Sequence, residues 1–482
     1  MRYDAAIIGG GADGLAAAAV LAKAGLRAIV VERHAEPGGR LVTCQFHPGF
    51  YASPFAGDVP PIPDELFWSL DLARHGALRS PPLPHTALWP DRSATQDSTG
   101  ILAQAEHRRI AALAFAGAPA PKPRWNPFAK PRRAAWPAEA WTHRSLLDLF
   151  GGTGDDGAAL FTAASLEGRA ADPLSAGSAL HLWSPSGGGV WRGGLRALGT
   201  ALAGSARAAG AEIACGLDVA DIRCRDGRAA ALSLADGTEI AARAVISTLD
   251  LKRTFLSLFA WSALPAAAVR QIGDFRIAGS SARLLVALSA PPRAANLPDG
   301  ALRGPIHVMP DLAQRIEAHA AWRTGVLAER LPLTLRFESA TDPGLAPPGA
   351  ATLSVTIACV PHSLFDGVWT HDKRERLVRQ TLAAIEEVLP GLGATVLATD
   401  LIAPPDIETA LGLTHGDLQG GELAPDQMFA FRPGFLRKGP HTPVEGLYLA
   451  GPSSAAAPFA TCAAGAIAAQ AVIADLRAGK LP

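Results

Sequence analysis

The chain has 482 residues, with 44 Lys and Arg against 44 Asp and Glu, and 49% of it is hydrophobic. That length calls for two or three structural units rather than one core. The zero formal net charge argues against a nucleic-acid partner, which demands a basic excess.

The chain begins with YDAAIIGGGADGLAAAAVLAKAGLRAIVVER. Tyr3–Ile8 is a short apolar run, as in a fully buried parallel strand. Gly9, Gly11 and Gly14 then fall in the spacing G-x-G-x-x-G and open an alanine-rich helix that ends near Gly25. A second buried strand, 28–31, closes on Glu32. This order of parts is the means of holding a dinucleotide. Gly9 permits a tight turn, Gly11 lets the backbone approach a pyrophosphate, and Gly14 lets helix and strand pack closely. The helix N-terminus, at Ala12 and Asp13, offers free N–H groups to the anion. Glu32 can accept hydrogen bonds from a ribose, and Arg33 beside it is counted with the same site.

The next turn, Gly38-Gly39-Arg40, follows closely on that acid. In this context it resembles the second conserved element of the large FAD-binding oxidoreductases related to amine oxidases and phytoene desaturases. The resemblance implies FAD rather than NAD, with Gly39 letting the cofactor pass and Arg40 near the phosphates or the flavin.

Residues 81–144 are proline-rich, so long regular elements are not expected there. Between Glu106 and Arg144 eight Lys or Arg stand against two Glu, interleaved with Trp125, Phe128, Trp136 and Trp141. Two readings stay open: an irregular cap whose cations are solvated, and a peripheral membrane contact through 106–144. Regular patterning returns with a helix at 195–208 and strands at 211–214, 218–224, 229–234 and 239–247, joined through Asp226-Gly227 and Asp236-Gly237. This block resembles the second FAD segment of the same family, and the resemblance places the Val219 backbone against the adenine. Farther on, 282–290 and 351–360 read as strands and 373–392 as an amphipathic helix.

Gly412-Leu413, Asp426-Gln427, Arg432-Pro433 and the strand GLYLAG complete the pattern. It resembles the phytoene-desaturase-related FAD oxidoreductases, and within them the branch called pyridine nucleotide-disulfide oxidoreductase domain-containing proteins. The resemblance implies an α/β fold: a discontinuous Rossmann-type FAD-binding domain (1–80, 186–262 and 420–482), an inserted α+β substrate-binding domain (263–419) and an irregular or helical cap (81–185). It implies an enzyme of the phytoene dehydrogenase type, passing hydride from a hydrophobic isoprenoid, polyene or lipid-like substrate to flavin. A redox-neutral flavin-dependent isomerase or saturase, and a non-catalytic flavin-binding partner protein, are the alternatives.

His415 is the candidate acid or base, because an imidazole titrates near neutrality, and Glu422 is a second candidate. Gly451, Phe459 and Ala460, around the last strand-to-helix turn, are expected against the flavin. There the family pattern Gly-x-x-His-Pro-Gly-Gly-Gly is replaced by an interior of Ser453-Ser454-Ala455-Ala456-Ala457-Pro458-Phe459, which predicts an altered path. The cysteines Cys44, Cys215, Cys224, Cys359 and Cys462 never form a C-x-x-C pair, so buried free thiols and no metal site are expected. No basic, apolar leader opens the chain, and the small-residue tract 455–473 holds Pro458 and Gln470. A cytoplasmic protein is expected, with membrane association left open.

Overall fold

The computed structural model describes residues 3–57, 59–80, 83–96, 145–150, 156–169, 171–175, 178, 191–259, 264–422, 424, 427, 435, 439–454 and 461–482. In chain order the strands are β1 (Tyr3–Ile8), β2 (Ala28–Glu32), β3 (Cys44–His47), β4 (Phe50–Ala52), β5 (His85–Leu88), β6 (Ser93–Gln96), β7 (Glu212–Cys215) and β8 (Val219–Arg225). They continue with β9 (Arg228–Leu234), β10 (Glu239–Ser247), β11 (Ser281–Leu288), β12 (Ile306–Val308), β13 (Leu333–Phe337), β14 (Ala351–Ala358), β15 (Val396–Ile402) and β16 (Leu447–Leu449). The helices used below are α1 (Ala12–Lys23), α2 (Asp156–Ser165), α3 (Gly194–Ala208), α4 (Leu312–Arg323), α5 (His371–Val388), α6 (Pro404–Leu411) and α7 (Ala463–Arg477).

The first sheet runs β7-β2-β1-β10-β9-β8, with β16 beside β10. β1 lies parallel to both β2 and β10. Ala5 and Ile7 enter one apolar core, whereas Ala6 and Ile8 enter the core on the opposite face. Burial on both faces is why these strands read as continuous apolar runs. Residues 3–32, 212–247 and 447–449 all feed this sheet, so the unit is discontinuous as expected. Its hairpin at Asp226-Gly227 has positive φ at both residues, the turn that the Asp-Gly pair favours.

α7 is built from small side chains because α1 passes directly over it. A Cβ on Gly465 would stand 1.9 Å from the Asp13 carbonyl oxygen, well inside contact distance. The alanines of both helices then bury together in the core beneath.

The second sheet runs β15-β11-β14-β13-β12-β5-β6. On one face Leu284 and Val286 of β11, Leu353 and Val355 of β14 and Leu335 of β13 pack against Trp322 of α4 and Leu377 and Ile385 of α5. Each such aliphatic side chain contributes about 1.5–3 kcal/mol when fully buried. β5 and β6 correct the domain boundaries: they lie in the stretch read as cap, yet β5 pairs parallel with β12 and both belong to the second sheet. The basic, tryptophan-rich part of that stretch lies outside the described residues. All five cysteines are free as expected, but Cys44 and Cys224 are exposed rather than buried. No helix among the described residues is long and apolar enough to cross a membrane.

Candidate active site

The turn from β1 to α1 opens one cavity that continues to the second sheet. Gly9 has φ +94°, and a Cβ there would meet the Thr248 hydroxyl at 2.4 Å. That hydroxyl donates to the Ile8 carbonyl at 2.7 Å and holds the turn shut from behind. A Cβ on Gly14 would strike the Gly9 carbonyl oxygen at 2.0 Å, so helix and strand touch here through glycine alone. Gly11 is different: nothing stands within 4 Å of where its Cβ would be. Gly11 also caps α1 without any side-chain hydrogen bond, which leaves the first-turn N–H groups facing open space.

Around this cradle the predicted residues assemble. Gly9, Gly11, Ala12, Asp13, Glu32, Arg33, Gly39, Arg40 and Val219 all line the same cavity. Glu32 is buried and accepts from the Gly10 N–H at 2.6 Å and the His34 N–H at 2.9 Å, so its carboxylate is fixed at the end of β2. Gly39, with φ +58°, packs so closely that a Cβ would lie 3.1 Å from the Gly11 Cα. Arg40 donates to the Leu418 carbonyl at 3.2 Å. Burial draws its guanidinium pKa down, and the nearby Asp13 carboxylate opposes that shift. Burial raises the Asp13 carboxyl to about 6, while the Gly465 N–H that it accepts at 3.1 Å lowers it. Arg33 is tied to α6, donating to the carbonyls of Thr409 and Ala410.

Other residues of the prediction have different places. Gly14 and Gly451 do not line the cavity among the described residues; Gly451 lets two loops cross, since its Cβ would meet the Leu249 carbonyl oxygen at 2.2 Å. Phe459 and Ala460 lie outside the described residues. On either side of them, Pro452 and Thr461 reach the cavity. Ser453 has a buried role in that turn, donating to the Gly420 carbonyl at 2.6 Å and accepting from the Leu251 N–H at 3.0 Å.

The two acid–base candidates require correction. His415 does not line the cavity; its Nδ1 faces the Ile277 carbonyl at 3.0 Å and its N–H donates to Glu408 at 2.9 Å. Its backbone is left-handed, with φ 55°, so it completes a glycine-rich bend rather than a catalytic pair. Glu422 is likewise away from the cavity, held by Arg276 at 2.7 Å and Arg323 at 3.0 Å. Both were singled out for side-chain chemistry alone, and spacing says nothing about which surface a loop presents.

What residue-by-residue reasoning missed is the face that the second sheet turns toward the cavity. Opposite its aliphatic side this sheet carries Ser281 and Arg283 on β11, Ser354 and Thr356 on β14, Arg336 on β13 and His307 on β12. Arg283 is 1% exposed and His307 1%. The signal was present as strict alternation in LTLRF and TLSVTI, where every second residue is polar. Glu167 and Arg169, just beyond α2, join this half of the cavity. Glu167 accepts two bonds from Arg336, at 2.8 and 3.3 Å. Burial favours its neutral form, but Arg336 together with His85 and Arg283 outweighs that and holds the carboxyl below its ordinary value. His85 stacks on His307 with ring centroids 5.3 Å apart and Nδ1 to Nε2 at 3.0 Å. Burial pushes His85 down to about 4 and His307 well below its ordinary value, so both are neutral at physiological pH. No group of three His, Cys, Asp or Glu among the described residues could hold a metal ion.

A dinucleotide fits this arrangement: an open glycine cradle at a helix N-terminus, an acid at the end of the second strand, and Val219 in one cavity. The family described as flavin containing amine oxidoreductase matches residues 14–473. Pyridine nucleotide-disulfide oxidoreductase domain-containing protein 2 of Mus musculus is 28% identical, over 99% of this chain and 94% of its own. A lycopene-forming phytoene desaturase of a Paracoccus strain is 29% identical over 51% of this chain and 48% of its own. Among solved structures, an oxidoreductase from Methanosarcina mazei superposes with a TM-score of 0.61 at 18% identity, covering 98% of this chain and 100% of that one, and so shares the fold. The resemblance read from the glycines, Arg40 and the C-terminal strand is thereby borne out: the chain belongs to the flavin containing amine oxidoreductase family and is an oxidoreductase with FAD as its cofactor.

Proposed function

We propose that this oxidoreductase dehydrogenates a lipid-like or isoprenoid substrate, taking hydrogen from two adjacent carbons. The observation that carries this reading is the single cavity joining the glycine cradle to the second sheet, so that one enclosure serves cofactor and substrate. The Paracoccus relative, named for the desaturation of phytoene, supports the reaction type.

When bound, FAD supplies the two-electron acceptor for hydride. The chain supplies the rest. Glu32 and the first turn of α1 would bind the nucleotide end, and Arg40, with the Asp13 carboxylate nearby, lines the same cavity. Ser281 and Arg283 of β11, Thr356 of β14 and Glu167 beyond α2 would line the substrate end. In the overall balance the substrate loses a hydride and a proton, a carbon–carbon double bond forms, and the proton is released to solvent.

Anaerobic titration of the holoprotein tests this reading. Bleaching of the visible flavin band by an isoprenoid or long-chain substrate, with an unsaturated product, is the expected result. Product formed without bleaching would indicate a redox-neutral isomerase. A flavin inert to every such substrate would overturn the dehydrogenase reading.

A further inference from the structure

A hydrocarbon chain needs only an apolar wall, yet the substrate half of the cavity is walled by buried charge. Arg169, Arg283 and Glu167 line it, and Arg336 and Glu338 stand behind them against Glu167 and Arg283. Glu167 is taken by Arg336, with Nη2 to Oε2 at 2.8 Å. Glu338 accepts from the Ser354 hydroxyl at 2.7 Å, and its Oε1 is 3.8 Å from Arg283 Nη2, beyond a hydrogen bond. Arg283 itself donates to neutral oxygens, the Thr356 hydroxyl at 2.5 Å and the Ser53 carbonyl at 3.2 Å. Its Nε has no hydrogen-bond partner among the described residues, and with Thr356 and Ser281 it lines the cavity. Burial draws both Arg169 and Arg283 down to about 10, which leaves them cationic at neutral pH. A fully buried cation whose hydrogen bonds go to neutral acceptors, with its nearest carboxylate 3.8 Å away, is costly, and an anion reaching it through the cavity would stabilise it. The open cradle at Gly11, at the first sheet, would hold the cofactor's own phosphates.

We infer that the substrate carries an anionic group, a carboxylate or a phosphate, which seats on Arg283 between β11 and β14. This rests on the dehydrogenase reading above and specifies its substrate as an acidic amphiphile. The anion fixes one end of the substrate, and its distance from the flavin then selects which carbons are presented.

The test is equilibrium binding to the holoprotein, followed by calorimetry and by the perturbation of the flavin absorbance, with decanoate, decyl phosphate, decanol, acetate and inorganic phosphate. Decanoate or decyl phosphate should bind about 10- to 100-fold more tightly than decanol, the range for a hydrogen bond to a charged group. Which of the two wins identifies the headgroup. Arg283→Gln should abolish the preference, and Arg283→Lys, which keeps the charge, should restore part of it; FAD content and melting temperature establish that each variant is folded. Decanol binding as tightly as both anions, or a preference that survives in Arg283→Gln, overturns the inference. If either Arg283 variant does not fold, the wild-type comparison alone decides. Binding of acetate or inorganic phosphate with no binding of any amphiphile would keep the anion site and sink the lipid-like reading. No binding of any probe would overturn both.

Discussion

The two sheets turn opposite kinds of surface toward the cavity. In the first sheet the site is mostly backbone: Gly9 and Gly11, the first N–H groups of α1 and one fixed carboxylate, Glu32. In the second it is mostly side chain: Ser281 and Arg283 of β11, Thr356 of β14, and Glu167 and Arg169 just beyond α2. A backbone site depends on where side chains are absent, so it tolerates almost no added atom. A side-chain site depends on charge balance, so it responds to the loss of a partner.

The largest expected effect lies in the second half. Glu167→Gln removes the Arg336–Glu167 ion pair and adds to the cationic excess around Arg283. Breaking such a buried pair should destabilise the fold by about 3–5 kcal/mol, read from denaturant unfolding. A loss within experimental scatter would show that the pair is effectively solvated. In the first half, Gly465→Ala forces a Cβ against the Asp13 carbonyl oxygen. That overpacking should cost about 1–3 kcal/mol and lower FAD occupancy, because Asp13 and the start of α1 must shift together. Retained FAD content with unchanged stability would contradict the close helix contact.

A pH-dependent effect belongs to the loop that carries Asp417. Burial raises the Asp417 carboxyl to about 7, against the N–H groups of Gln419 and Gly421 that lower it. The folded chain therefore holds this proton more tightly than the unfolded chain. Its stabilising contribution is present at low pH and is lost as pH rises from about 4 to about 7. Melting temperatures across that interval should fall more in the natural protein than in Asp417→Asn; parallel curves would remove Asp417 from the account. The smallest effect is expected at His415. Asn accepts its left-handed backbone, so His415→Asn should cost at most about 1 kcal/mol, the bond to Ile277, and leave turnover unchanged. A large fall in kcat would return His415 to the catalytic site.

This contrast also explains what could be read from the sequence. The backbone site is local: Gly9, Gly11, Gly14, Glu32 and Arg40 fall within one short stretch, and each spacing has one physical use. The hairpins at 219–247 and the helix at 194–208 were legible because turn residues and apolar periodicity mark their ends. β5 and β6 were not, because prolines flank them and β5 gains its order from parallel pairing with β12, more than two hundred residues away. Arg283 and Arg336 were hidden for the same reason. Each reads alone as the polar position of an ordinary half-exposed strand, and only the assembled sheet buries them against a cavity. His415 and Glu422 failed in the other direction, since a reactive side chain in a loop carries no address.

The most direct measurement is a crystal structure of the holoprotein. The account predicts pyrophosphate density over Gly11, ribose within reach of Glu32, and an isoalloxazine past Arg40 whose open face shares one cavity with Arg283. A flavin walled off from Arg283 by protein, or a dinucleotide seated away from the Gly9–Gly11 turn, would contradict it.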